Sequence, residues 1–138
     1  MRKITLISGL PRSGSTLLCN LLNSNPKFHA TPTSGILDVV RNIRTTYSHN
    51  PSFKAQNRLD LIESMRNGLK GFVEGYFSEK EVVFDKSRGW SNNIQLLDSI
   101  FGNSDTKIIW TYRNPVEIIT ICTKLEFSIP YKVSNSSI

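Results

Sequence analysis

KITLISGLPRSGSTLL, Lys3 to Leu18, joins a short β-branched apolar run to Gly9, four residues, Gly14 and a Ser15-Thr16 pair. A buried strand stopped by glycine, with a helix opening on hydroxyls behind it, is the setting in which backbone amides cradle phosphate. Gly9 lets the chain turn sharply, and Gly14 lets N–H groups approach an anion with no side chain between them. In loops that hold a nucleoside triphosphate, a lysine stands immediately before the Ser/Thr and reaches the outer phosphates. Here that position is Ser15, and the loop carries Arg12 instead. The spacing therefore predicts an anion site, and the missing lysine argues against a triphosphate. A shorter anion, with one phosphate and one further acidic group, is consistent with it. The plainer alternative, a Gly-Pro strand-to-helix turn with incidental hydroxyls, carries less weight because strand, arginine and helix all accompany the glycines.

Working outward, Ser13 is the expected N-cap of a helix carrying Leu17, Leu18, Leu21 and Leu22, which Asn23 to Pro26 ends. Residues 27–34 read as a connection. A helix from near Ser34 carries Ile36, Leu37, Val40 and Ile43, and Asn50-Pro51-Ser52 breaks the chain. A second amphipathic stretch places Leu59, Ile62, Leu69, Phe72, Val73 and Tyr76 on one stripe. EVVFD (Glu81–Asp85) and KIIWTY (Lys107–Tyr112) read as buried strands, with a helix between them through Ile94, Leu97 and Phe101 that Gly102 closes. Pro115 opens a last helix through Ile118, Ile119 and Cys122, and residues 126–138 read as an irregular tail. Three buried strands alternating with helices predict one α/β domain over residues 1–138 with a central parallel sheet.

Composition narrows the function classes. A chain of 138 residues buries about two-thirds of its unfolded surface, and 38% hydrophobic with 20% charged residues is an ordinary globular mixture. The net charge of +6 suits an anionic ligand, an acidic substrate or nucleic acid. The basic residues are scattered and not interleaved with aromatics, so no nucleic-acid partner is expected. Cys19 and Cys122 are far apart and form no CxxC pair, which excludes a zinc ribbon or disulfide framework and points to a reducing compartment. The apolar run near the start ends at Pro11 after about seven residues, short for a signal-peptide core. No segment approaches the ~20 apolar residues of a membrane span. The expectation is a cytoplasmic protein without a membrane partner.

In open α/β sheets, ligands bind beyond the carboxyl ends of the strands. The three strands end in Gly9 to Arg12, in Lys86-Ser87-Arg88 and in Arg113-Asn114-Pro115, so each brings a cation to that edge.

With those residues in view, SGLPRSGSTLL closely resembles the 5′-phosphosulfate-binding loop of the sulfotransferases, where Pro-Arg-Ser-Gly-(Ser/Thr)-Thr recurs. IIWTYRNPVEII is similar to their second signature, which binds the 3′-phosphate of 3′-phosphoadenosine 5′-phosphosulfate (PAPS). VFDKSRGW looks like the lysine-bearing middle strand of the tyrosylprotein and carbohydrate sulfotransferases. The matches follow family order from Ile4 to Ile119. The resemblance implies a three-layer P-loop fold and transfer of SO₃ from PAPS to a hydroxyl or amine acceptor without a metal ion. It implies that Pro11, Arg12, Ser13, Gly14, Ser15 and Thr16 bind the 5′-phosphosulfate, with Arg12 also facing the transferring group. Lys86 would stabilise the bridging oxygen, and Arg113 would pair with the 3′-phosphate. Arg88 and Trp90 would flank the adenine or the acceptor. Read without the family, Lys86 is equally a solvated strand-end lysine, and Trp90 is more commonly a packed one.

The chain departs from the pattern at one position. The family's serine eight residues beyond the arginine is here Ile121, and Thr120 stands one place early. One residue on a helix swings a side chain by ~100°, so Thr120 serves as a donor only with local adjustment. Beyond Ile121 the likeness stops, which implies a domain incomplete at its C-terminus with an exposed sheet edge. His29, just after the first helix, is the candidate general base, since an imidazole can take a proton near neutral pH; a lone loop histidine is more often solvated. Two other readings stay open. A P-loop small-molecule kinase lacks its lysine and has only Asp85 to hold magnesium. A degenerate nucleotide-binding module would keep the loop without the chemistry, and Ile121 favours it over the kinase.

Overall fold

The sheet has the order β2-β3-β1-β4, with every pairing parallel. The structure is a computed structural model, and it describes residues 3–77, 80–102 and 107–128. In chain order the elements are β1 (Lys3–Gly9), α1 (Ser15–Leu22), β2 (Phe28–Thr31), α2 (Ile36–His49), α3 (Pro51–Lys54), α4 (Leu61–Tyr76), β3 (Val82–Lys86), a 3-10 turn (Trp90–Asn93), α5 (Ile94–Phe101), β4 (Lys107–Thr111) and α6 (Pro115–Ser128). Among the described residues, no helix is long and apolar enough to cross a membrane.

Alternation along each strand divides the core between two faces. Leu6 and Val83 pack beneath Ile36, Leu37 and Val40 of α2, Leu69 and Val73 of α4, and Leu96, Leu97 and Ile100 of α5. Their neighbours Ile7, Phe84 and Ala30 point the other way, against Cys19, Leu18 and Leu22 of α1. Burial on both faces explains why β1 and β3 read as unbroken apolar runs. Each fully buried Leu or Ile contributes about 1.5–3 kcal/mol. The result is a three-layer α/β fold whose parallel strands all end at one edge.

Residues 27–34 are more than a connection, because β2 lies within them. Phe28 meets Phe84 edge to face at 5.3 Å between ring centroids, and Ala30 is buried. The Asn23 side chain stands in for a missing strand neighbour, accepting from Ala30 N at 2.7 Å and donating to Ala30 O at 2.8 Å. The N-cap of α1 is Gly14 (φ 90°) and not Ser13, whose hydroxyl reaches back into the loop. On α4 only Leu69 and Val73 are buried; Ile62, Phe72 and Tyr76 are exposed, and Leu59 precedes the helix. Asn50 does break α2, then caps α3 through an acceptor bond from Ser52 N at 2.8 Å. Helix α6 continues to Ser128, three residues into the stretch expected to be irregular; residues 129–138 lie outside the described residues. Among the described residues β4 pairs only with β1, and Trp110 and Tyr112 on and beyond it are exposed.

Candidate functional site

The loop after β1 is built on a tight turn. Ser13 N donates to Leu10 O at 3.3 Å, Pro11 takes the second position, and Arg12 takes the third with φ 62°. Proline followed by a positive φ is the pattern of a type II turn, whose third residue is ordinarily glycine. A left-handed arginine costs about 1–2 kcal/mol, and neighbours hold it there. Arg113 Nη1 donates to Arg12 O at 3.3 Å, and Ser13 Oγ lies 2.7 Å from Leu10 O. The first bond of α1 runs from Leu18 N to Gly14 O at 3.0 Å. The amides of Ser15 and Thr16 therefore stand at a helix start, where N–H groups have no intrahelical partner.

Parallel pairing brings the other two strand ends alongside. Ile7 is in register with Lys86, and Gly9 with Thr111. The loop (Pro11, Arg12, Gly14, Ser15, Thr16), the β3 end (Lys86, Arg88) and the β4–α6 segment (Arg113, Ile121, Cys122) line one open cleft of about 620 Å³. That volume is in the range of small-molecule sites. Four cationic side chains line it, and no carboxylate does among the described residues, a distribution that concentrates anions. Lys86 Nζ donates to Thr16 Oγ1 at 3.0 Å. Arg113 Nε pairs with Glu117 Oε2 at 2.7 Å. Both partners are about half exposed, so the pair is worth at most about 1 kcal/mol, but it aims the guanidinium.

On the opposite face, Asp85 secures the β3 end. It is fully buried, and its Oδ2 accepts from Trp90 Nε1 at 2.7 Å. Burial pushes this carboxyl above its ordinary value, while the Ser34 hydroxyl, the indole and His29 partly oppose the rise. Oδ1 has no partner in good hydrogen-bond geometry, although the Ser34 hydroxyl is near enough to favour the charged form. Ser87 N donates to Ile7 O at 3.1 Å, and Ser8 Oγ lies 3.0 Å from Arg88 O. These bonds fix the segment that carries Lys86 and Arg88.

Three residues expected at the site are placed elsewhere. His29 is on β2, opposite Val83. Alternation sends it to the α2–α4–α5 face, whereas Lys86 is on the α1 face, so the two do not meet in the cleft. Thr120 is exposed, and its hydroxyl donates to Val116 O at 2.8 Å; the cleft is lined by Ile121 instead. Trp90 is 2% exposed, a core residue and not a flank for a ligand. The sequence reading missed Thr111, Leu10 and Cys122. The position of Thr111 at a strand end was the one available signal. Among the described residues no group of His, Cys, Asp and Glu side chains is gathered as a metal ion would require.

Residues 5–135 match the model of the sulfotransferase family, nearly the whole chain, and the protein belongs to that family. Sulfuryl transfer is therefore the class of chemistry that its fold serves. Comparison with curated proteins finds no match.

Proposed function

We propose that the protein transfers a sulfuryl group from PAPS to a hydroxyl or amine acceptor, with the donor held in the cleft at the strand ends. The observation that carries this reading is the convergence of Arg12, Lys86, Arg88 and Arg113 on one cleft beside a loop whose triphosphate lysine is replaced by Ser15. That donor set fits a nucleotide with anionic groups at both ends. The amides and hydroxyls from Ser13 to Thr16 suit the 5′-phosphosulfate, with Pro11 shaping the turn and Arg12 beside it. Arg113 offers a 3′-phosphate the remaining N–H groups of a planar fork.

PAPS supplies an activated sulfuryl group, whose transfer has the loose, charge-spreading character of phosphoryl transfer. Lys86, docked on Thr16, is the residue poised to neutralise charge on the departing phosphate oxygen. Cations fixed before reaction contribute most where charge develops. The two free thiols, Cys19 and Cys122, suit a reducing, cytoplasmic setting.

A second reading, a binding module without turnover, is favoured by Ile121, which presents an apolar side chain where the family places a donor. Thermal shift with 3′,5′-ADP, compared with ATP plus Mg²⁺, tests the site. Ligand at ~100 times its Kd adds about 2.7 kcal/mol, a shift of several degrees. Stabilisation by ATP-Mg²⁺ alone overturns the site assignment. Transfer of radiolabelled sulfate from PAPS to an acceptor panel then separates the enzyme from the binding module.

A further inference from the structure

We propose that Thr111 is a positioning residue that latches the phosphate loop to the end of β4, fixing the separation between the two anion-binding ends of the cleft. The ligand-binding half of this inference rests on the proposed function; the latch in the ligand-free protein does not.

Thr111 is the last residue of β4 and lies in register with Gly9. Its Oγ1 is 2.7 Å from Ser13 Oγ and 3.1 Å from Ser8 O, while Ser13 Oγ is 2.7 Å from Leu10 O. Two hydroxyl protons cannot serve all three contacts, so they form a directed chain. It runs from Thr111 through Ser13 to Leu10 O, or from Ser13 through Thr111 to Ser8 O. Either direction ties β4 to the backbone at the base of the loop. Gly9 (φ 149°) makes the approach possible, because a Cβ there would run into the hydroxyl and carbonyl of Thr111.

Two residues further on, Arg113 bonds Arg12 O, so one short segment clasps the turn at both ends. Thr111 itself does not line the cleft. Its effect on a ligand passes through the left-handed Arg12 turn and Arg113, which it holds in mutual register. A ligand that touches both ends needs that register; a ligand that touches only the loop does not.

The experiment compares wild type with Thr111→Val, which keeps the branched shape and removes the hydroxyl. Binding of 3′,5′-ADP and of 5′-AMP is measured by calorimetry, and backbone amide exchange over residues 12–16 is followed without ligand. The latch predicts a loss of about tenfold for 3′,5′-ADP, the order of one or two hydrogen bonds. It also predicts less than about a twofold change for 5′-AMP, faster loop exchange, and recovery in Thr111→Ser. Ser13→Ala, which also removes a hydroxyl from the phosphate site, should speed loop exchange likewise. Its loss for 3′,5′-ADP should add little when combined with Thr111→Val, as coupled groups do. Unchanged exchange, equal losses for both nucleotides in Thr111→Val, or additive losses in the double variant overturn the latch. If wild type binds no 3′,5′-ADP the proposed function fails, and the exchange rates alone decide the latch.

Discussion

Lys86 Nζ sits 3.0 Å from Thr16 Oγ1, so the cation of the middle strand occupies the hydroxyl that holds Mg²⁺ in triphosphate loops. A divalent ion there would meet an ammonium group. Under the proposed function, Lys86 would face the charge that builds during transfer. Lys86→Met should lower kcat by about 10²–10³-fold, as loss of a transition-state donor does, while the Kd for 3′,5′-ADP changes little. Steady-state kinetics beside calorimetry checks this. A loss confined to KM would show that Lys86 binds the ground state instead.

Arg113 is shared between Glu117 and Arg12 O. Because the Glu117 pair is half exposed, Glu117→Gln should change stability by less than about 1 kcal/mol. It should also leave 3′,5′-ADP affinity within about threefold. Arg113→Ala removes charge-assisted bonds worth about 1.5–3 kcal/mol, roughly ten- to 150-fold in Kd. Lysine should rescue poorly, since a point charge lacks the fork. Titration of the three variants decides it, and full activity in Arg113→Ala would remove this residue from the site.

Asp85 gives a pH prediction. Its folded value lies above the ordinary value of 3.8, so between the two values the folded chain binds more protons than the unfolded one. Stability from this group is complete below pH 3.8, is lost as pH rises through the folded value, and stays lost at neutrality. Asparagine retains an acceptor for Trp90 Nε1 and carries no charge. Asp85→Asn should therefore be more stable than wild type at pH 7, with the advantage shrinking as pH falls toward 4. Urea denaturation at several pH values measures the difference, and a gap independent of pH contradicts it.

Cys122 offers a direct probe of cleft occupancy. It is partly exposed and lines the cleft. Cys19 is fully buried beneath the sheet, and burial pushes its thiol above the ordinary value. Iodoacetamide should modify Cys122 first, and 3′,5′-ADP should slow that reaction severalfold, followed by mass spectrometry. Labelling of Cys122 at an unchanged rate under saturating nucleotide would place the ligand elsewhere.

Strands β1, β3 and β4 are legible in the sequence because each is an apolar run stopped by glycine or a charge. Parallel strands share one carboxyl edge, so Arg12, Lys86 and Arg113 could be grouped before any geometry was known. β2 is not legible: KFHAT is short and half polar, and its strand form depends on the Asn23 side chain beyond the turn and on Phe84, which is remote in sequence. Missing that strand also misplaced His29, since alternation across an unseen strand gives no face. The choice between Thr120 and Ile121 depends on the rotational setting of α6 over the cleft. The Thr111 hydroxyl chain depends on the register of β4 against β1. Neither is written in local pattern.

The central claim is that a single cleft gathers Arg12 and Arg113 around one doubly anionic adenine nucleotide. Calorimetric titration with 3′,5′-ADP tests it most directly, on wild type, Arg12→Ala and Arg113→Ala, each first shown to be folded. One saturable site in wild type, lost or severely weakened in both variants, is the predicted result. Equal affinity in all three proteins, or no binding by wild type, would contradict the account.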